Sequence, residues 1–147
     1  MLRFAILLIS ALVLCEAHVG SRQQEWCLGD FAKGVLNMCA EKNNVGKAAI
    51  EDFLKGKLSN NKNERCFRAC FLMECEYFEG YGGFKSDTQL RLATQFALRY
   101  PSKYKVAKKI VGSCMFALSE PNVCDTAEEL FKCIKLNSPF PLTLQGI

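Results

Sequence analysis

At 147 residues, half of them apolar, with a formal net charge of +4, the chain is sized for one domain with its own core. The basic excess is too small and too scattered for a dedicated nucleic-acid partner. Nine cysteines accompany a single histidine, His18 near the N-terminus, so histidine metal clusters and Ser-His or Cys-His nucleophile pairs are excluded, and neither an enzyme nor a metal or cofactor is expected.

The chain opens MLRFAILLISALVLCEAHVG: Arg3 precedes an apolar run from Phe4 to Cys15, and Cys15 and Ala17 stand at the −3 and −1 positions of a cut after Ala17. That is the pattern of a secretory signal peptide over residues 1–17, and the run is too short to span a bilayer comfortably. Residues 18–147 then form one extracellular domain. It keeps eight cysteines, since Cys15 leaves with the signal, and an even count in an exported chain reads as disulfides.

Apolar periodicity is helical almost throughout. A first helix is expected over about 22–40, with Trp26, Phe31, Val35 and Met38 as its stripe, and a second over about 45–56 around Ala49, Phe53 and Leu54. A third, about 61–78, ends where Gly80, Gly82 and Gly83 punctuate the chain. Within it Cys66 and Cys70 lie one turn apart and share a face, whereas Cys75 points the opposite way. Ser86-Asp87-Thr88-Gln89 reads as a capping box opening a fourth helix that Tyr100-Pro101 stops. The fifth, about 102–118, is apolar on two sides through Val106, Ile110, Val111, Met115 and Leu118, as a buried helix is. Asp125 with Glu128 is expected to cap a sixth reaching about Leu136.

The C-terminal stretch NSPFPLTLQGI, residues 137–147, cannot be helical at Pro139 and Pro141, yet it carries Phe140, Leu142, Leu144 and Ile147. An extended tail this apolar is expected to lie on or in the protein. The carboxylate pairs Glu74/Glu76 and Glu128/Glu129 read as solvated helix surface and cap, and Lys105, Lys108 and Lys109 as a solvated face, with a membrane-active helix as the rival.

From Cys39 the cysteine intervals are x26, x3, x43, x9 and x8, with Arg65-Cys66-Phe67-Arg68-Ala69-Cys70 at the centre. This pattern resembles the insect odorant-binding protein family, the pheromone and general odorant-binding proteins, over essentially the whole chain after the signal. The resemblance implies an all-α, six-helix, disulfide-braced domain around an apolar cavity. It also implies the interlocked pairs Cys39–Cys70, Cys66–Cys124 and Cys114–Cys133. Cys27 and Cys75 depart from the six-cysteine pattern; a fourth bridge between them is expected, with a disulfide-linked homodimer or free thiols as alternatives.

The implied function is secreted carriage of small hydrophobic ligands such as odorants or pheromones, with delivery to an olfactory receptor; a salivary or haemolymph scavenger of the same fold is the alternative. A ligand-sized void of ~300–400 Å³ costs on the order of 7–10 kcal/mol, and three bridges at about 3–4 kcal/mol each are of the same size. The expected lining residues are Phe53, Met73, Tyr77, Leu92, Phe96, Val111, Met115, Leu118, Phe131, Phe140 and Leu142, with the hydroxyls of Tyr77 and Tyr100 serving either as polar contacts to a ligand or as loop caps. No buried carboxylate is evident on the inward stripes, so neutral apolar ligands are preferred to amines. With His18 the only histidine, any acid-triggered release is expected to run through the tail, the Ile147 carboxylate or a carboxylate partnering it.

Overall fold

A computed structural model describes residues 27–79, 83–116, 121–141, 143–144 and 146–147. The expected signal peptide, His18, Trp26, Leu118 and Leu142 lie outside the described residues. The described chain forms α1 (Gly29–Lys42), α2 (Lys47–Leu54), α3 (Lys62–Glu74), α4 (Thr88–Ala97), a 3-10 turn (Pro101–Lys103), α5 (Tyr104–Phe116) and α6 (Val123–Asn137). The only bridge of β type among the described residues joins Phe78 to Phe84, whose rings meet edge to face at 4.9 Å.

In α1 the buried residues are Ala32, Val35, Leu36, Cys39 and Ala40, a one-sided stripe at helical spacing. The expected stripe through Met38 is displaced: Met38 is exposed and the small residues Ala32 and Ala40 face inward, where they admit closer packing. The helix also starts later than 22–40 predicts. Cys27 has φ 51° and Gly29 φ 56°, and consecutive helical hydrogen bonds cannot pass through such a turn.

Helix α3 is the hub. Asn61 caps it, its side chain accepting from the amides of Asn63 and Glu64, and Phe67 through Leu72 are all buried, so neighbours enclose it on every side. It stops at Glu74 rather than 78 because Glu76 takes φ 58°. Arg91 of α4 then covers the frayed end, its guanidinium donating to the carbonyls of Cys75 at 2.8 Å and Glu76 at 3.2 Å.

Two expected caps are replaced. In place of a capping box at α4, Thr88 donates its hydroxyl to the Tyr77 carbonyl and Gln89 donates its amide to the Lys108 carbonyl, so both side chains serve tertiary contacts. Helix α6 is capped by Asn122, which accepts from the Asp125 amide; Asp125 itself pairs with Arg65 at 3.2 Å. Helix α5 buries Ala107, Ile110, Val111, Gly112 and Cys114 but leaves Val106 exposed. It is therefore an ordinary one-sided helix rather than one buried all round, with Lys105, Lys108 and Lys109 in solvent. No helix among the described residues is long and apolar enough to cross a membrane.

Four disulfides lock these elements: Cys39–Cys70 ties α1 to α3, Cys66–Cys124 ties α3 to α6, and Cys114–Cys133 ties α5 to α6. Cys27–Cys75 closes within the chain, its Cα atoms 5.4 Å apart. Two bridges can join α1 and its approach to α3 and its exit because Cys27 precedes α1 and Cys75 follows α3.

Candidate functional site

Phe53 is the one fully buried residue of the short helix α2, and its ring stands edge-on to Phe67 (5.5 Å), Phe71 (5.3 Å) and Phe131 (5.2 Å). Edge-to-face contacts pair the positive rim of one ring with the negative face of another, each worth about 0.5–1.5 kcal/mol beyond area burial. Phe53 therefore fixes α2 against α3 and α6 at a single point. Gly56, φ 69°, turns the chain sharply after α2 and donates its amide to the Phe53 carbonyl.

Beside this aromatic cluster lies a charge pair whose acidic member the sequence pattern assigns to solvent. The Arg68 guanidinium donates to the Glu128 carboxylate at 2.8 Å, and the side chains are only 2% and 8% exposed. The second Glu128 oxygen accepts from the Ser59 amide at 2.6 Å, while the Arg68 cation sits 5.6 Å from the centre of the Phe53 ring. Glu128 is thus neither a cap nor solvated surface: the turn of α6 that carries Ala127, Leu130 and Phe131 inward carries it inward too. A signal for this exists in the sequence, since Glu128 falls four residues after Cys124 and three before Phe131, on the face those two define. What no local pattern supplies is its partner, 60 residues away. Arg68 retains one buried donor, its Nε–H, without a hydrogen-bond partner.

Phe53, Gly56, Lys57, Arg68, Phe131, Ile134 and Lys135 enclose a niche of about 20 Å³, room for roughly one oxygen-sized group. Gly56 and Lys135 are shared with a larger cleft of about 330 Å³, whose other walls are Lys55, Ser138, Pro139, Phe140, Pro141 and Thr143. The tail is thus the outer wall of this cleft. Its bend is pinned by Ser138, whose hydroxyl donates to the Phe140 carbonyl and accepts from the Phe140 amide. Beyond it Leu144 is buried, the Gly146 carbonyl accepts from the Gly29 amide at 2.6 Å, and Ile147 lines a further cleft of about 250 Å³ with Leu36, Ile50 and Leu54.

The remaining expected lining residues are distributed around one continuous core. Leu92, Phe96 and Val111 are buried where α4 and α5 contribute, and Met73 packs against the same core half-exposed. Met115 instead lines a separate cleft of about 350 Å³ with Phe84, Gln89, Gly112 and Phe116. Phe53, Phe131 and Phe140 are brought together around the niche and cleft; Met115 is not. Leu118 and Leu142 fall outside the described residues.

Tyr77 is fully buried, and its hydroxyl donates to Gln95 Oε1 at 2.8 Å, so the hydroxyl expected to meet a ligand is engaged within the protein. Tyr100 is half exposed at the surface beneath Lys103. Burial pushes the Tyr77 phenol up to about 12, more than the nearby Arg91 guanidinium pulls it down. The folded state holds this proton more tightly than the unfolded chain, in which tyrosine titrates near 10. The resulting stabilisation of about 2–3 kcal/mol is complete below pH ~10 and is lost as pH rises towards ~12. Ultraviolet titration is therefore expected to show one of the four tyrosines ionising only near pH ~12 or with unfolding. Persistence of that late step in Tyr77→Phe would exclude Tyr77 as its source.

Comparison with known proteins places this arrangement. The PBP/GOBP family model matches residues 29–137, from the first residue of α1 to the last of α6. Among solved structures, an odorant-binding protein from Drosophila melanogaster superposes with a TM-score of 0.65 at 19% identity, covering 71% of this chain and 87% of that one. An odorant-binding protein from Locusta migratoria superposes with a TM-score of 0.60 at 21% identity, covering 75% and 80%. No curated protein matches.

Proposed function

The chain belongs to the PBP/GOBP family of insect odorant-binding proteins, and from that premise we propose that it is a secreted carrier of small hydrophobic ligands rather than an enzyme. The observation that carries this reading is an aromatic interior, Phe53 with Phe131, meeting a cleft of ligand size that an apolar tail walls off. Small-molecule sites are concave and combine apolar side chains with a few polar groups in volumes of about 300–1,000 Å³; this cleft combines Phe140, Pro139 and Pro141 with Lys55, Lys135, Ser138 and Thr143. Delivery to an olfactory receptor completes the proposal. A carrier needs moderate affinity, because cargo must also leave, and burying methylenes at about 0.8 kcal/mol each against at least ~4 kcal/mol of lost freedom gives that range.

An amine scavenger is the less favoured reading. Glu128 does supply a buried carboxylate, but its charge is already paired with the Arg68 guanidinium and it also accepts from the Ser59 amide, so it offers no unpaired negative charge to an ammonium.

The test is uptake of an apolar fluorescent dye by the secreted chain, followed by displacement with volatile alcohols, aldehydes, esters and fatty acids. Failure of every class to compete would end the carrier reading, and leakage of anionic vesicles would favour the membrane-active one. The tail's part is tested separately. Phe140→Ala, and a chain ending at Asn137, are expected to weaken dye binding about tenfold, the worth of roughly one apolar contact of 1.4 kcal/mol. Equal affinity in all three proteins would remove the tail as a wall of the site. Repeating the series at pH 7 and pH 5 shows whether the tail also carries an acid response; equal pH dependence with and without it would say that it does not.

A further inference from the structure

We infer that the cleft under the tail selects single-chain amphiphiles with a carboxylate head, with the head held where Lys135 and Arg68 meet the niche and the chain lying against Pro139, Phe140 and Pro141. This deepens the carrier reading and rests on it. Three independent features converge.

The first is an excess of uncompensated positive charge. Lys55 pairs with Glu51 at 3.7 Å, Lys57 with Asp52 at 2.7 Å, and Arg68 with Glu128. Lys135, a wall of both niche and cleft, has no carboxylate partner among the described residues. Neither has Lys103, whose ammonium lies 4.4 Å from the centre of the Phe140 ring. An anion in the cleft is attracted by Lys135 on its wall and by Lys103 beside the Phe140 ring, while an ammonium is repelled.

The second is the orphan donor. Arg68 lines the niche, is 2% exposed, and keeps its Nε–H unpartnered. A buried donor without an acceptor costs about 1–3 kcal/mol, and a niche of about 20 Å³ is the size of one acceptor oxygen. A carboxylate offers two oxygens, one for such a donor and one for Lys135. The third is the shape of the remainder: an open cleft of about 330 Å³ with Phe140 and two prolines takes a flexible aliphatic chain, and its other lysine, Lys55, is paired with Glu51.

The experiment uses the secreted chain loaded with an apolar dye at pH 8, displaced by dodecanoate, 1-dodecanol and dodecylamine, which share one chain length. Dodecanoate is expected to compete about tenfold better than the alcohol, the worth of one charge-assisted hydrogen bond of roughly 1.4 kcal/mol, and the amine worst. Lys135→Gln, and Lys135→Gln with Lys103→Gln, are expected to shrink the acid-to-alcohol ratio stepwise towards one, as is 0.5 M salt.

An acid-to-alcohol ratio of one or below in the parent protein overturns the inference while leaving the carrier reading intact, whereas displacement by none of the three ligands defeats the carrier reading itself. A preference for the acid that survives both lysine substitutions places the head elsewhere and also overturns the inference. The same holds if acid and alcohol weaken equally in the variants, because a structural defect lowers both and leaves the ratio unmoved.

Discussion

Glu128→Ala is expected to destabilise the protein by about 3–5 kcal/mol, because it leaves the Arg68 guanidinium buried without its counter-charge. Arg68 is 2% exposed, set between the Phe53 ring and a niche with room for about one oxygen-sized group. The Ser59 amide loses its acceptor in the same step, which frees the segment leading into α3. In thermal unfolding the loss corresponds to a Tm lower by on the order of 10 °C. The companion variant separates charge from packing. Arg68→Met with Glu128→Leu is expected to recover most of the stability, since apolar side chains of similar volume can replace a buried pair at little cost. A Glu128→Ala protein that melts within a degree or two of the parent would show that water reaches Arg68 and that the pair is not buried in solution.

The second large effect concerns the bridge beside that pair. Removing Cys66–Cys124 by paired alanine substitution is expected to cost about 4 kcal/mol, from the chain entropy restored to an unfolded state; the bridge closes a separation of 58 residues, the longest of the four. Cys114–Cys133, with a separation of 19, is expected to cost about 3 kcal/mol. The ranking by loop length is checked by denaturant unfolding of variants that each lack one bridge. A reversed order would mean that native packing rather than unfolded-chain entropy sets the values.

The α3–α6 contact carries three fasteners within a few residues: Arg65–Asp125, Cys66–Cys124 and Arg68–Glu128. Loss of the bridge and loss of Glu128 are thus expected to be non-additive. With the disulfide gone, α6 can relax and let water reach Arg68, so the double variant loses less than the two single losses together.

Much of the fold is legible in the order and spacing of the residues. Cysteine spacing carries the family likeness because each bridge closes only where backbone geometry holds two sulfurs together, so the intervals between cysteines are constrained by the path of the helices. The six helices follow from periodicity of apolar residues, a local property. The direction of Cys75, opposite to Cys66 and Cys70, requires a separate partner, and Cys27 is that partner.

Elsewhere local preference gives way to contacts between elements. Ser86 to Gln89 has the letters of a capping box, yet Thr88 and Gln89 are recruited to Tyr77 and Lys108 on other elements. Glu128 reads as helix surface and cap until Arg68 comes within hydrogen-bond range, and Arg91, which no local pattern singles out, covers the carbonyls of Cys75 and Glu76. A charge can be buried only against a partner, and here the partners lie 15 to 60 residues away in the chain. The site shows the same division: spacing and composition suffice for a bridged helical frame and an apolar tail, since both are properties of short stretches. The folded chain was needed to set Phe140 opposite Lys135 and Gly56, because the position of a tail without helical hydrogen bonds is fixed by the surface it meets.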